Sequence, residues 1–278
     1  MMTGATGLLG SAFLNKLTEI NCSVLNVTRT FGTNRSLSEL STIREIGYDI
    51  FSEDYKFLSE LPTPDCIVHF AWGGLPNFQS HYHLATEFPK QKSFLEYWIK
   101  RGVKRIIVLG TCFEYGLVEG EISEDTVCKP ITVYGQAKNS LHAGLRAFIS
   151  NGHYKSQLIW LRVFYVKSER RGIFGALSMA IQEGHVKFPM SNGQQIRDYL
   201  SPEEIAEKIE IVMSAQNPDS IYNICSGQPR RLIDLVEEFR RGKASKIEFE
   251  LGAFDYLDYE PLEFWGSVHN FNALLSKK

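Results

Sequence analysis

The chain has 278 residues, of which 44% are hydrophobic and 22% charged, which suits one large α/β unit or a nucleotide domain with a smaller partner. A formal net charge of −2 gives no basic field for nucleic acid or anionic lipid, and no apolar run approaches the roughly 20 residues that span a bilayer. Its start does not resemble a signal peptide, and its five cysteines lack CxxC spacing, so we predict a cytoplasmic protein without disulfides or a metal site.

A glycine-rich loop opens the chain. Gly4, Gly7 and Gly10 recur at every third residue of TGATGLLG, just before a helical pattern over 10–20 and a strand pattern over 23–28. Glycines in this context allow a tight turn and bring backbone N–H groups close to a pyrophosphate at a helix N-terminus. On its own, the glycine spacing would also fit a plain turn. We assign cofactor binding to Gly4, Thr6, Gly7, Leu8, Leu9 and Gly10.

The strand that should feed this loop is short. A dinucleotide-binding unit needs about five residues there, yet only Met1 and Met2 precede Thr3. We expect either a first strand that is cut short or one that begins upstream. A short strand would weaken the centre of the sheet.

The end of the second strand bears on the choice of cofactor. NAD-preferring enzymes place an Asp or Glu there, about 20 residues beyond the glycines, to bind the adenine ribose. This strand ends in Asn26-Val27-Thr28-Arg29 without an acid. Arg29, assisted by Arg35, is placed to face a 2′-phosphate. We expect NADP(H) to be preferred, with NAD(H) as the alternative if Arg29 is an exposed loop arginine.

Strand patterns alternate with helical patterns up to residue 164. Branched apolar runs predict strands over 66–70, 105–109 and 158–163, and apolar stripes predict helices over 84–101 and 134–150. This alternation predicts an α/β fold with a Rossmann-like, doubly wound parallel sheet. Beyond residue 165 the alternation breaks down, with helices expected over 173–183, from Pro202 and over 232–240, and a strand over 221–224. We predict an NADP-binding Rossmann domain at 1–164, also receiving about 198–224, and a smaller C-terminal α/β domain at 165–278 that mainly binds substrate.

Tyr134 and Lys138 stand at positions i and i+4 of a predicted helix, so their side chains share one face. An ammonium beside a phenol favours the phenolate and lowers a pKa that is otherwise about 10. The pair therefore predicts proton transfer at a carbonyl or alcohol carbon while a nicotinamide transfers hydride.

Nearly end to end, the chain resembles the extended short-chain dehydrogenase/reductase family, which comprises nucleotide-sugar epimerases, dehydratases and reductases. The resemblance rests on the glycine loop, the YxxxK pair, and the segments DCIVHFA, LGTCFEYG, RVF, RDY and YNI. It implies that Thr111 donates a hydrogen bond to the substrate oxygen and aligns it with Tyr134. Family members are often homodimers, and we expect one here. The implied cofactor contacts beyond the loop are Asp49, Ile50, Phe70, Ala71, Trp72, Tyr134, Lys138 and Val163.

Departures from the family pattern reduce the number of reactions that the site residues allow. Dehydratases carry an acidic pair directly after the threonine, where this chain has Cys112 and Phe113, and double epimerases need a cysteine at the second of these positions. The remaining apparatus moves one hydride and one proton, which favours ketone reduction. An NAD-dependent 4-epimerase needs the same trio and stays open, although Tyr165 replaces its usual asparagine. The alternative of another class is a non-catalytic dinucleotide-sensing scaffold.

The resemblance implies a nucleotide-linked sugar as substrate. QIRDYL matches the segment in which the family places an arginine on the diphosphate, so Arg197 is the candidate, unless it only pairs with the adjacent aspartate. Trp72 would wall the sugar pocket unless it is a core tryptophan, with Cys112, Phe113 and Tyr165 beside it. FAWGGLPNF and GTCFEYG resemble in particular the 4-keto-6-deoxyhexose reductases, such as those that form dTDP-6-deoxy-talose or CDP-abequose. We therefore predict NADPH-dependent reduction of the C4 ketone of a dTDP-, CDP- or GDP-4-keto-6-deoxyhexose, in deoxysugar synthesis for surface polysaccharide.

Overall fold

The structure, a computed structural model, describes residues 1–20, 22–29, 42–216, 218 and 221–276. Arg35 lies outside the described residues. The strands within them are β1 (Met2–Thr3), β2 (Val24–Thr28), β3 (Ile43–Gly47), β4 (Cys66–His69), β5 (Arg105–Thr111), β6 (Gly120–Ile122), β7 (Gln157–Val163), β8 (Tyr165–Val166), β9 (Lys187–Met190), β10 (Ile196–Arg197), β11 (Tyr199–Leu200), β12 (Ile221–Ile224), β13 (Arg230–Arg231), β14 (Glu248–Leu251) and β15 (Phe264–Gly266).

The helices connect these strands. A single π-helical turn, His83–Glu87, leads directly into one of them, and a short 3-10 turn, Cys112–Glu114, follows β5. The α-helices of the described part are α1 (Leu8–Leu17), α2 (Tyr55–Glu60), α3 (Phe88–Lys100), α4 (Val133–Asn151), α5 (Gly172–Gln182), α6 (Pro202–Ser214), α7 (Leu232–Gly242) and α8 (His269–Leu275).

Seven parallel strands form the central sheet, in the order β12-β7-β5-β4-β1-β2-β3. Helices cover both of its faces. On one face, α1 and α6 contribute Phe13 and Ile209 to one apolar core, and on the other, α3 and α4 contribute Trp98 and Leu141 to a second core. All four side chains have no measurable exposure. The predicted Rossmann-like, doubly wound parallel sheet is confirmed.

The chain after β7 builds smaller units beside the carboxyl ends of the central strands. Phe174 of α5 and Val236 of α7 lie in an apolar core of their own, next to the parallel pair β9 and β14. Strand β12 returns to the central sheet and pairs in parallel with β7. The domain boundary at 164/165 stays a prediction.

Two elements near the sheet edge have no counterpart in the sequence patterns. Strand β3 pairs with β2 at the edge, and of its five residues only Ile46 is buried. Leu58 is the buried residue of the six-residue α2. Elements that bury so little apolar surface have no regular spacing of apolar residues, so they cannot be recognised from the sequence.

The first strand has two residues, Met2 and Thr3, which pair with β2 on one side and β4 on the other. The α-amino group of Met1 donates a hydrogen bond to the Cys66 carbonyl oxygen (2.7 Å), and Met2 is 1% exposed. The glycine loop therefore leaves the middle of the sheet from a fully paired strand. Across the described residues, no helix is both long and apolar enough to cross a membrane.

Candidate active site

The glycine loop requires glycine for steric reasons. Gly4 has a φ of +74°, and a Cβ placed there would lie 2.6 Å from the Ala71 backbone nitrogen. A Cβ on Gly10 would lie 2.1 Å from the Gly4 carbonyl oxygen. These approaches press α1 against the end of β1, and the Gly7 N–H closes the turn by donating to the Gly4 carbonyl oxygen (3.0 Å).

The N-terminus of α1 is suited to a pyrophosphate. Gly7 stands at the N-cap position and offers no side chain to cap the helix, so the first N–H groups of α1 stay available to an anion. A cradle without Cβ atoms beside an uncapped helix end is what a bound dinucleotide needs. The residues present therefore fit an NAD(P) cofactor.

The first of two adjoining cavities, which we call the dinucleotide cleft, has a volume of about 300 Å³. Arg29 is exposed at the end of β2, on the rim of this cleft. Two unpredicted side chains, Glu87 and Gln91, also line it. The predicted cofactor residues that line it are Gly4, Thr6, Gly7, Arg29, Asp49, Ile50, Phe70, Ala71 and Trp72.

The second cavity, the catalytic pocket, has a volume of about 390 Å³ and brings together Thr111, Tyr134 and Lys138. Thr111 is the last residue of β5, whereas the other two belong to α4. The Thr132 hydroxyl caps α4 by accepting a hydrogen bond from the Gly135 N–H (3.0 Å), which fixes the start of the helix at Val133, one residue before Tyr134. The other predicted site residues at this pocket are Gly4, Gly7, Leu8, Leu9, Gly10, Phe70, Trp72, Cys112, Phe113, Val163 and Tyr165.

Lys138 is 3% exposed. Its Nζ donates a hydrogen bond to the Leu109 carbonyl oxygen (2.8 Å) and lies 3.9 Å from the ring centroid of Trp72. Burial lowers the pKa of Lys138 to about 7, against the charges of Glu114 and Glu87, which raise it. Lys138 is therefore close to losing its proton at neutral pH.

Tyr134 differs from the sequence prediction. Its pKa lies above the ordinary value because burial raises it first and the nearby charge of Glu114 adds to this effect. A hydrogen bond with the Thr111 side chain acts in the opposite direction. The Nζ of Lys138 lies 5.9 Å from the centroid of the phenol ring. Because burial is the largest influence, the protonated phenol is favoured over the phenolate.

Glu114, the acid of LGTCFEYG, turns away from the catalytic pocket. It has no exposed surface, and its carboxylate accepts hydrogen bonds from the Thr111 N–H (2.8 Å), Trp160 Nε1 (2.9 Å) and Arg162 Nε (3.1 Å). Burial raises the pKa of Glu114, and Arg162 opposes that rise. The pair holds the end of β5 from behind, and so it positions Thr111.

Aromatic rings form one wall of the catalytic pocket. The ring of Phe113 lies 4.8 Å from that of Phe78 and 6.4 Å from that of Tyr165. Cys112 is 3% exposed, and burial raises the pKa of its thiol. A neutral thiol and a phenyl ring therefore provide no general acid or base at positions 112 and 113.

Arg197 lies outside both cavities. Its Nη1 donates hydrogen bonds to the carbonyl oxygens of Ile196 and Leu262, and its Nη2 pairs with the Glu260 carboxylate (3.0 Å). Asp198, its neighbour, accepts instead from Ser226 and Gly227. Arg197 lines a third, largely apolar cavity of about 770 Å³. Its part in substrate binding stays a prediction.

Several residues at the junction of the cavities lie outside the set of site residues assigned from the sequence. Arg171 borders both the dinucleotide cleft and the catalytic pocket, and Glu260 borders the catalytic pocket and the third cavity. Fully buried His83 sits behind Trp72. The signal for Glu87 and Gln91 was their i, i+4 spacing in a buried helix, where Gln91 Nε2 donates to the Glu87 carboxylate (2.7 Å).

Comparison with known proteins agrees with this geometry. The chain is 29% identical over 271 residues to dTDP-6-deoxy-L-talose 4-dehydrogenase (NAD(+)) of Aggregatibacter actinomycetemcomitans, covering 96% of this chain and 98% of that protein. The fold of this chain is similar to that of UDP-glucuronic acid 4-epimerase from Bacillus cereus in complex with UDP-glucuronic acid and NAD. The TM-score is 0.83 at 18% identity, and the match covers 100% of this chain and 92% of that chain. The fold is also similar to that of UDP-N-acetylglucosamine 4-epimerase from Methanobrevibacter ruminantium M1 in complex with UDP-N-acetylmuramic acid (TM-score 0.85, 18% identity, 98% and 90%).

A sequence model of the NAD dependent epimerase/dehydratase family matches residues 1–225. That span includes the glycine loop, the strands β1 and β2 on either side of the loop and α1, and the residues Thr111, Tyr134 and Lys138. The chain therefore belongs to the NAD dependent epimerase/dehydratase family and is an NAD(P)-dependent enzyme.

Proposed function

We propose that this enzyme reduces the C4 ketone of a nucleotide-linked 4-keto-6-deoxyhexose, with NADPH as the preferred reductant. One observation carries the proposal. The catalytic pocket gathers Thr111, Tyr134 and Lys138 and places a buried thiol and a phenyl ring, Cys112 and Phe113, where elimination would need acids. Such a pocket can protonate an oxygen, and neither Cys112 nor Phe113 offers an acid or base for chemistry at the neighbouring carbons.

Two side chains and the cofactor take different parts in the proposed ketone reduction. Thr111 donates a hydrogen bond to the carbonyl oxygen and holds it beside Tyr134. The glycine loop and Lys138 would hold the nicotinamide cofactor, which when bound would supply the hydride for the new C–H bond at sugar C4. The carbonyl π electrons move to oxygen, and the Tyr134 proton forms the O–H bond. The raised pKa of the phenol keeps that proton in place beforehand, and solvent returns it afterwards.

Both the relative and the cavities support a nucleotide sugar as substrate. The relative at 29% identity is named for a dTDP-6-deoxy-sugar. Next to the catalytic pocket, the third cavity has room for a nucleotide at about 770 Å³. The aromatic wall of Phe78 and Phe113 suits the methyl group of a 6-deoxy sugar. We further propose that residues 165–278 mainly bind this substrate.

NADPH is proposed because Arg29 stands on the rim of the dinucleotide cleft, at the strand end where NAD enzymes place an acid. The named relative uses NAD(+), so the two cofactors must be compared directly. We also propose a homodimer and a cytoplasmic location for deoxysugar synthesis, the latter because all five cysteines are free thiols.

The test offers dTDP-, CDP- and GDP-4-keto-6-deoxyhexoses to the purified protein with NADPH or NADH. We expect oxidation of the cofactor with one of them. Tyr134→Phe should lower kcat by at least about 100-fold, since a proton donor contributes that much. A folded protein that binds cofactor yet turns over none of the three sugars would sink the proposal.

A 4-epimerase is the second candidate, and the fold neighbours named as 4-epimerases favour it. Epimerisation returns the hydride to the sugar and consumes no cofactor. Interconversion of a UDP-hexose pair by protein that retains NAD through purification would establish it. Net oxidation of NADPH in the same assay would exclude it.

A further inference from the structure

Trp72 links the catalytic lysine to a fixed histidine. Its indole Nε1–H donates a hydrogen bond to His83 Nδ1 (3.1 Å), and His83 Nε2 donates to the Asn77 carbonyl oxygen (2.8 Å). Both bonds require the neutral histidine with its proton on Nε2. Because His83 has no exposed surface, it holds the indole plane in one orientation.

In that orientation, the face of the Trp72 ring points at the Lys138 ammonium group. Lys138 Nζ lies 3.9 Å from the Trp72 ring centroid, and Tyr134 meets the same indole edge-on at 5.9 Å. Apart from the Leu109 carbonyl oxygen (2.8 Å), the indole is the close partner of this buried cation among the described residues.

Other titratable groups also face Lys138. Glu114 and Glu87 favour its charged form, burial disfavours it, and the pKa of Lys138 is lowered to about 7. Burial lowers the pKa of His69 to about 3, so that ring is neutral. By element, these groups are His69 at the end of β4, Glu87 on the turn before α3, Glu114 on the turn after β5, and Tyr134 on α4.

We propose that Trp72 is a positioning residue for Lys138: its ring face keeps the ammonium charged and fixed where the dinucleotide cleft meets the catalytic pocket. The negative face of an indole attracts a cation and gives nothing to a neutral amine. An aliphatic side chain of similar bulk would exclude water without that attraction. This inference rests on the proposed function in one respect: it requires that Lys138 is charged where it meets the cofactor.

The test measures NADPH and NADH binding by calorimetry across the neutral pH range, without sugar. Affinity in the wild type should fall as rising pH removes the Lys138 charge. We expect Trp72→Leu to lower the midpoint of that fall by about one pH unit, and Trp72→Phe to lower it less. At acidic pH both variants should approach wild-type affinity. Trp265→Leu, on β15 and lining neither cavity, is the matched control and should leave the midpoint unchanged.

Equal loss of affinity at every pH, with the midpoint unmoved, would show that Trp72 only fills space and would overturn the proposal. Tighter binding by Trp72→Leu would overturn it as well, since the indole would then obstruct the cofactor. If Trp72→Leu fails to fold, Trp72→Phe and His83→Gln carry the same comparison. A shifted midpoint in a protein that turns over no sugar would leave this inference standing and remove the proposed function.

Discussion

Two buried charges beside the catalytic pocket are compensated very differently. Glu114 has an arginine, an indole N–H and a backbone N–H as direct partners. Lys138 has one carbonyl oxygen and a ring face. A charge so weakly compensated opposes folding and persists where function requires it.

We expect Lys138→Met to raise stability while abolishing turnover. The pKa of Lys138 falls from 10.5 to about 7 on folding, so between these values the unfolded chain binds more protons than the folded chain. The lysine therefore destabilises the fold most at and below neutral pH, and its penalty shrinks as pH rises toward 10.5.

Urea denaturation at neutral pH should give Lys138→Met a free energy of unfolding higher by about 1 kcal/mol or more. Lys155→Met, at an exposed position, is the control and should change little. A lower unfolding midpoint for Lys138→Met would contradict the burial penalty.

Among the elements, α1 is the one whose placement decides cofactor binding. We expect Gly10→Ala to push α1 away from the loop, because the new methyl would meet the Gly4 carbonyl oxygen at 2.1 Å. Overpacking of this kind costs about 1–3 kcal/mol, and cofactor affinity should fall at least tenfold.

Gly242→Ala is the matched control, since Gly242 lies in α7 and a methyl group added there would meet no atom within 4 Å. There alanine should stabilise the helix by about 0.5–1 kcal/mol. Thermal denaturation and cofactor titration of both variants provide the measurement. Unchanged affinity in Gly10→Ala would refute the tight approach.

The secondary-structure elements also show which features of the fold can be predicted from the sequence. Strands β4, β5 and β7 were predicted because each is a run of buried branched residues, whereas β3 buries little and leaves no such run. Tyr134 and Lys138 were predicted because their i, i+4 spacing follows helix geometry, whereas Thr111 was implied by the family resemblance. The partner of Arg197 is Glu260, 63 residues away, and a contact between segments so distant in sequence has no signature in local spacing.

At the scale of the whole molecule, the dinucleotide cleft and the catalytic pocket form one channel. Gly4, Gly7, Phe70, Trp72 and Arg171 border both cavities. Four of these come from the first half of the Rossmann unit, and Arg171 comes from the segment after β8. The later segment therefore supplies a cation where the two cavities meet.

We expect Arg171→Ala to weaken cofactor binding about tenfold, the effect of losing one charge-assisted contact to phosphate. Arg170→Ala is the control, because Arg170 is exposed and borders neither cavity. The dissociation constant of NADPH at two salt concentrations checks both variants, and a weaker salt dependence should accompany the loss. Equal effects of the two substitutions would mean that Arg171 acts only through net charge.

The position of Trp72 has an optical consequence. Trp98 and Trp160 are fully buried in the core, whereas Trp72 borders the channel on both sides of its junction. A reduced nicotinamide bound there would lie within easy range for energy transfer from the excited indole. The protein thus carries an intrinsic fluorophore at its catalytic centre, and quenching of its emission would report arrival and departure of the cofactor in real time.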